Sequence, residues 1–238
     1  MDLLKLKQEP IKLTPVKAAL GYYSDRPQEY DVSYIHNKGG TYVITIDDAI
    51  EHVSQFHTAI QVMEHAKDED TVEIRLSNCP GGIVDGGDTF IHAMRNTEAH
   101  IRIVATGGVH SMATQILLNA DEFELSNGFN ALIHTGSGGA IGNTNEYYAK
   151  SKFDQEFRVK QFRDAYEGFL TEQEIDDVIN GKDIWLDAEG WVERSRKANE
   201  YFANKIKSLQ DEVKLAAKPK RVRKKPVKDE AVETTQSE

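Results

Sequence analysis

The sequence predicts an α/β domain built on a largely parallel sheet, and three observations carry that reading. Strand-like apolar runs and helix-like segments alternate through the first half of the chain, the order that right-handed crossovers turn into parallel strands. The runs Thr41–Ile46, Thr71–Leu76 and 101–105 are short and rich in β-branched residues, as buried strands are. The second and third run into glycine turns, Asn78-Cys79-Pro80-Gly81-Gly82 and Thr106-Gly107-Gly108, which leave backbone amides open to a ligand.

Taken in order, residues 1–40 read as an irregular arm. Leu3, Leu4 and Leu6 precede Pro10, Pro15 and a polar segment broken by Pro27, with one short strand expected over 30–35. Gly39-Gly40 opens the strand Thr41–Ile46. Asp47 reads as a helix cap, and Ile50, Val53, Phe56, Ile60 and Met63 follow at helical spacing, so an amphipathic helix is expected as far as Lys67. In Thr71–Leu76, Val72, Ile74 and Leu76 alternate with Glu73 and Arg75, the pattern of a strand with one wet face. Residues 87–97 read as a helix with Phe90, Ile91 and Met94 inward, and 101–105 as a buried strand.

The turn Thr106-Gly107-Gly108-Val109-His110-Ser111 then leads into a short helix, 115–120. A serine at a glycine-rich strand-to-helix turn sits on a sharp corner with its hydroxyl exposed, where a nucleophile would be. The same pattern also serves as an ordinary helix cap, so the turn alone does not decide the role of Ser111. Two short strands, Glu122–Leu125 and 131–134, precede the run Thr135-Gly136-Ser137-Gly138-Gly139. A long polar helix is expected over 145–169, with Tyr148, Phe153, Phe157, Phe162 and Tyr166 interleaved among charges; these aromatics read as packing between subunits. Thr171-Glu172-Gln173-Glu174 is a capping box for the next helix. Residues 181–186 end that helix in a short strand, and Asp187-Ala188-Glu189 starts another helix that continues over 198–216. The organisation expected is an arm over 1–40, a domain over 41–197, a helical extension over 198–217 and a disordered basic and polar tail over 218–238.

Composition narrows the classes of function. At 238 residues and 39% hydrophobic the chain can bury a full core. Its net charge is −10; residues 214–228 hold eight basic and no acidic side chains, which leaves −18 for the rest. That balance argues against nucleic acid as partner of the folded part. No apolar run approaches the roughly 18 residues of a membrane span. Met1-Asp2-Leu3-Leu4-Lys5 has no apolar core of a signal peptide. One cysteine, Cys79, cannot form an internal disulfide, which points to a reducing, cytoplasmic compartment.

Asn78-Cys79-Pro80-Gly81-Gly82-Ile83, His110-Ser111-Met112-Ala113, Leu132-Ile133-His134 with Gly138-Gly139, and Lys182-Asp183-Ile184-Trp185-Leu186-Asp187-Ala188-Glu189 occur in that order. Together they resemble the Clp protease proteolytic-subunit family, of the Clp protease/crotonase fold. Its corresponding segments are Asn-Ser-Pro-Gly-Gly-Val, Ala-Ser-Met-Gly/Ala, Met-Ile-His with Gly-Gly, and Arg-Asp-x-Phe/Trp-Met-Ser/Thr-Ala-Glu. The resemblance covers residues 40–193. The intervals from Gly81 to Ser111 and from His134 to Asp183 match the family's, and that from Ser111 to His134 is slightly shorter.

The resemblance implies Ser111 as nucleophile, His134 as its general base and Asp183 as the group that orients the imidazole, roles that suit the residue types. It implies the amides of Gly82 and Met112 as an oxyanion hole. It places Gly82-Ile83-Val84 and Gly136-Ser137-Gly138 as extended edges flanking a peptide substrate. It further implies a homo-oligomeric ring joined through the long helix; neither cofactor nor metal is expected. Other readings stand beside these. His134 on an apolar strand suits a core histidine, Asp183 suits a cap, and His110 is a second candidate base, although neighbours on a turn point apart. Cys79, where the family has Ser, reads as a small buried residue. His52, His57 and His65 share the expected helix without the i, i+4 spacing of a metal pair.

The chain also departs from the family. Glu73 and Arg75 stand where outward tyrosines line the pocket for an ATPase partner, the arm lacks the axial-loop sequence, and Arg194-Ser195-Arg196-Lys197 replaces the segment Tyr-Gly-Leu-Val/Ile-Asp. Docking of an ATPase unfoldase therefore does not follow, and a phage head-maturation protease working on a capsid scaffold is a second setting. The expected activity is that of a serine endopeptidase. The alternatives are a crotonase-type acyl-CoA enzyme and an inactive structural subunit of a ring.

Overall fold

A computed structural model describes residues 11–12, 28–35, 39–136 and 143–216. Most of the expected arm, Ser137 and Gly138, and the basic tail from Lys218 lie outside the described residues. The elements in order are β1 (Ile11–Lys12), β2 (Val32–Ile35), β3 (Thr41–Ile46), a 3-10 turn (Val53–Phe56), α1 (His57–His65), β4 (Thr71–Leu76), α2 (Val84–Asn96), β5 (His100–Ala105), β6 (Gly108–His110), α3 (Met112–Leu118), β7 (Glu122–Leu125), β8 (Asn130–Ile133), α4 (Thr144–Tyr166), α5 (Glu172–Ile179), β9 (Ile184–Asp187) and α6 (Ala188–Ala216).

Two sheets form among the described residues. The larger has the order β1-β2-β3-β4-β5-β7. Its strands β3, β4, β5 and β7 run parallel, and β1 and β2 add antiparallel at one edge. Ile44, Ile74 and Ile103 stand in one row across three strands and are wholly buried. Such rows explain why these strands read as β-branched: each side chain packs on its cross-strand neighbour and on the helices. Phe56 stacks on Phe90 of α2 at 4.4 Å and lies 5.0 Å from Tyr30. The outward positions are charged, as their alternation predicts. Glu73 pairs with Arg75 and Arg102, and Arg102 reaches Glu124 at 2.6 Å.

The smaller sheet has the order β6-β8-β9, with β6 and β8 parallel and β9 antiparallel to β8. Cys79 bridges to Val109 beside β6, which ties the end of the large sheet to the small one.

Two local expectations are corrected. Asp47 caps no helix. Ile50 donates to the Gly81 carbonyl at 2.8 Å and accepts from the Ile83 amide at 2.7 Å, so its backbone is committed to a bridge and cannot turn helical there. The helical segment begins with the 3-10 turn instead, in a capping box of His52 and Gln55, so His52 does not share a helix with His57 and His65. Val84 is also not an extended residue: it opens α2, three residues before the start expected from sequence. Gly86 and Gly87 both lie inside its first turn. Here they let the helix approach its neighbours, since a Cβ at Gly87 would lie 2.4 Å from Met112 Cγ.

The chain divides into two compact units, Met1–Asn199 and Glu200–Glu238. In the second, the described residues are helical through Ala216, with Phe202, Ile206, Leu209 and Val213 exposed. No helix among the described residues is long and apolar enough to cross a membrane.

Candidate active site

The site begins where β4 and β5 end. Thr106 donates its amide to the Leu76 carbonyl at 2.9 Å, and the Ser77 and Thr106 hydroxyls lie 2.7 Å apart. Asn78 then takes a left-handed φ of 55°, a conformation Asn tolerates better than most residues. In that pose its Oδ1 accepts from the Gly108 amide at 3.2 Å. A Cβ at Gly107 would lie 2.3 Å from the same oxygen, so the two turns interlock only because position 107 is bare. Cys79 is buried, and burial pushes its thiol up to about 11, which keeps it protonated and inert at neutral pH.

Gly81 is where the two turns touch. At its φ of 80°, a Cβ would stand 2.5 Å from the His110 carbonyl oxygen and 2.8 Å from both Met112 N and Ser111 Cβ. Gly82, at φ 144°, has its would-be Cβ direction filled by the Ile50 carbonyl at 2.1 Å. That backbone contact by itself requires glycine at 82. Because the flanking groups, Gly81 C=O and Ile83 N–H, both bond Ile50, the Gly82 N–H faces the opposite edge.

Ser111 sits at φ 55° and ψ −125° as the residue before α3. For a residue with a side chain that conformation costs about 1–3 kcal/mol and persists only where the surroundings enforce it. They do so here: the Ser111 amide donates to the Leu132 carbonyl at 2.7 Å, and its own carbonyl accepts from the Thr114 amide at 2.9 Å and the Thr114 hydroxyl at 2.6 Å. Met112 is the first residue of α3, so its N–H has no partner within the helix.

The small sheet gathers the remaining residues. His110 pairs with Leu132 in parallel, and Ile133 pairs with Ile184 in antiparallel. His134 directly follows Ile133 at the end of β8, Asp183 directly precedes Ile184 at the start of β9, and Ser111 directly follows His110 at the end of β6. The three sequence-expected residues thus share one end of β6-β8-β9. Ser111 and His134 are half-buried and Asp183 is exposed. Among the described residues, no side-chain hydrogen bond joins the three. His110 is engaged elsewhere: its Nε2 lies 2.8 Å from Asn130 Oδ1 and its ring meets Trp185 edge-on at 5.4 Å. Gly136 is exposed with open space around it. Asp187, four residues from Asp183, accepts from the Gly190 amide at 2.8 Å and caps α6. No group of three or more His, Cys, Asp or Glu among the described residues is placed to hold a metal.

Sequence reasoning missed Asn78 and Thr114 as parts of this turn, and Tyr166, expected to pack between subunits, is instead buried in this chain's own core. Asn78 opened the quoted glycine turn and could have been found from its tolerance of positive φ. Thr114 is a wholly buried hydroxyl on a short, otherwise apolar helix face, and a polar residue there needs a partner.

No curated protein matches the chain. The family model described as Clp protease matches residues 40–194, which takes in both sheets except β1 and β2, and every described residue of the site. The repeated strand-helix units and mostly parallel sheets are those of the Clp protease/crotonase fold. With the fold, the motifs and a match over more than half its length in agreement, this chain belongs to the Clp protease family, a family of peptidases.

Proposed function

We propose that the chain is a serine endopeptidase that cleaves peptides or unfolded proteins through an acyl-enzyme, as a homo-oligomeric ring in the cytoplasm of a cell or of an infected host. The observation that carries this reading is the strained Ser111 at the head of α3, with His134 and Asp183 at the same end of the small sheet. Ser111 Oγ attacks the scissile carbonyl as His134 takes its proton, and Asp183 stabilises the imidazolium that forms. The oxygen that becomes negative is held by the N–H groups of Gly82 and Met112, each worth about 3–4 kcal/mol in comparable sites. His134 then returns the proton to the leaving amine, and water repeats the sequence on the acyl ester. Gly82, whose N–H points away from Ile50, leads the backbone that would add substrate as a strand, giving affinity with little sequence selectivity.

Labelling with a fluorophosphonate tests the assignment. A single adduct on Ser111, lost in Ser111→Ala and strongly slowed in His134→Ala, is expected. An unlabelled protein, or an adduct elsewhere, overturns it; acyl-CoA turnover that survives Ser111→Ala would replace it with the crotonase-type reading. A native mass equal to one chain would remove the ring.

A further inference from the structure

Tyr166 closes α4 and is almost wholly buried, as is Thr114 on α3. Their hydroxyl oxygens lie 2.6 Å apart. Thr114 Oγ1 is also 2.6 Å from the Ser111 carbonyl oxygen, which can only accept, so the Thr114 proton goes there. The Tyr166 hydroxyl must then donate to Thr114. Burial pushes the Tyr166 hydroxyl far above its ordinary range, so it stays a protonated donor at every working pH. The result is a directed chain, from Tyr166 O–H to Thr114 O–H to the Ser111 carbonyl.

The target of that chain is one end of a rigid unit. The Ser111 carbonyl and the Met112 N–H belong to the same planar trans peptide, so fixing the direction of one fixes the other. Ser111 holds that peptide at an unfavourable ψ, where an untethered plane would relax by rotating. Hydrogen bonds at the carbonyl also polarise the amide and strengthen its N–H as a donor. We propose that Thr114 and Tyr166 are positioning residues for the oxyanion hole: they aim the Met112 N–H by clamping the carbonyl at the other end of its peptide. This rests on the serine-peptidase reading above. It also gives α4 a role in the chemistry, because the last turn of that helix supplies the first donor of the chain.

The test separates a clamp from a packing contact. Thr114→Val keeps the shape and removes the hydroxyl; Tyr166→Phe keeps the ring, which lies 4.5 Å from Phe162, and removes only the donor. Thr114→Val should lower kcat for a fluorogenic peptide by about 10–100-fold, below the 10²–10³ expected for losing a whole oxyanion donor. KM should stay within about twofold. Tyr166→Phe should act in the same direction by about 3–10-fold, since Thr114 keeps one bond to the carbonyl. Affinity for a peptide aldehyde, whose hemiacetal with Ser111 carries the oxyanion, should fall in step with kcat. Thr114→Ser should restore both. If wild-type protein shows neither peptide turnover nor Ser111 labelling, the peptidase reading fails and takes this inference with it. If wild type is active and Thr114→Val and Tyr166→Phe match it in kcat and aldehyde affinity, the clamp alone is overturned. Equal losses in kcat and in substrate binding, accompanied by a lower melting temperature and no rescue by serine, also overturn it.

Discussion

In the six-stranded sheet the side chains that matter face inward, whereas in the three-stranded sheet they gather at one end. Ile44, Ile74 and Ile103 are inaccessible in the first. In the second, Ser111 is half-buried at a strained turn and Asp183 is open to solvent. Both sheets feed one buried core, which Val109, Ala131 and Ile133 join from the smaller one, but only the smaller one ends at an unfavourable backbone, where chemistry is proposed. The two are joined by few bonds, chiefly the Asn78 amide oxygen on Gly108 and the Cys79 carbonyl on the His110 amide at 3.0 Å. A division of this kind predicts that substitutions sort by sheet: activity changes without stability on one side, and stability changes without activity on the other.

The largest separation is expected at Ser111. Ser111→Ala should lower peptide turnover by about 10⁴–10⁶-fold, with urea denaturation nearly unchanged. Ser111→Gly should be equally inactive yet more stable by about 1 kcal/mol, because glycine takes a positive φ without strain. An active Ser111→Gly protein would break the comparison at its strongest point. Asp183→Asn comes next, with a loss approaching 10⁴-fold in kcat, as for a triad acid that can no longer hold the right tautomer. Asp187→Asn is its control. An asparagine still caps α6 through its side-chain oxygen, so turnover and melting should stay close to wild type. Inactivity confined to the Asp187 variant would mean that the wrong carboxylate had been chosen.

The large sheet should answer in the other way. Ile74 is fully buried between Ile44 and Ile103, and Ile74→Ala should cost about 2–5 kcal/mol in urea denaturation. Turnover per folded molecule should hold within a few fold. A variant that stays stable but loses activity would show that the two sheets are coupled more tightly than their few bonds suggest.

How much of this could be read in the sequence differs between the sheets for a physical reason. Thr41–Ile46 is legible from its β-branched residues after Gly39-Gly40, and Thr71–Leu76 from the alternation of buried and outward side chains. Thr171 and Glu174 likewise form the capping box their spacing predicts. The failures lie between elements. Nothing in the composition of residues 47–52 says that Ile50 pairs through its backbone with Gly81 and Ile83, and without that bridge the apolar spacing reads as helix. The start of α2 is expected at Gly87 and lies at Val84, because sequence does not show that bare positions 86 and 87 pack against Ile50 and Met112. The residues Ser111, His134 and Asp183 were legible as motifs. Thr114 and Tyr166 were not, since 52 positions separate them and only the fold brings their hydroxyls together.

The smallest effect concerns the frame around β9. Glu174, in the first turn of α5, receives two bonds from Arg194 of α6, at 2.6 and 3.0 Å, and another from the Thr171 amide at 2.9 Å. The Arg194 guanidinium, with smaller help from Thr171, lowers the Glu174 carboxyl from 4.5 to about 2. A carboxyl depressed by folding contributes stability that is fully present above its unfolded value and is lost as acid reaches its folded value. The contribution should therefore be complete above pH 4.5 and fade as pH falls toward about 2. Solvent screening holds it to about 1 kcal/mol. Arg194→Met tests this: it should be less stable than wild type by that amount at pH 7, with the gap narrowing as denaturation is repeated between pH 4.5 and 2.5. Peptide turnover at neutral pH should hardly change, because the pair braces the helices on either side of β9 and touches none of Ser111, His134 or Asp183. A stability gap that widened in acid would reverse the sign of the linkage and remove the ion pair as its source. A large loss of turnover at full folding would instead place Arg194 in the proposed site and blur the division between scaffold and chemistry.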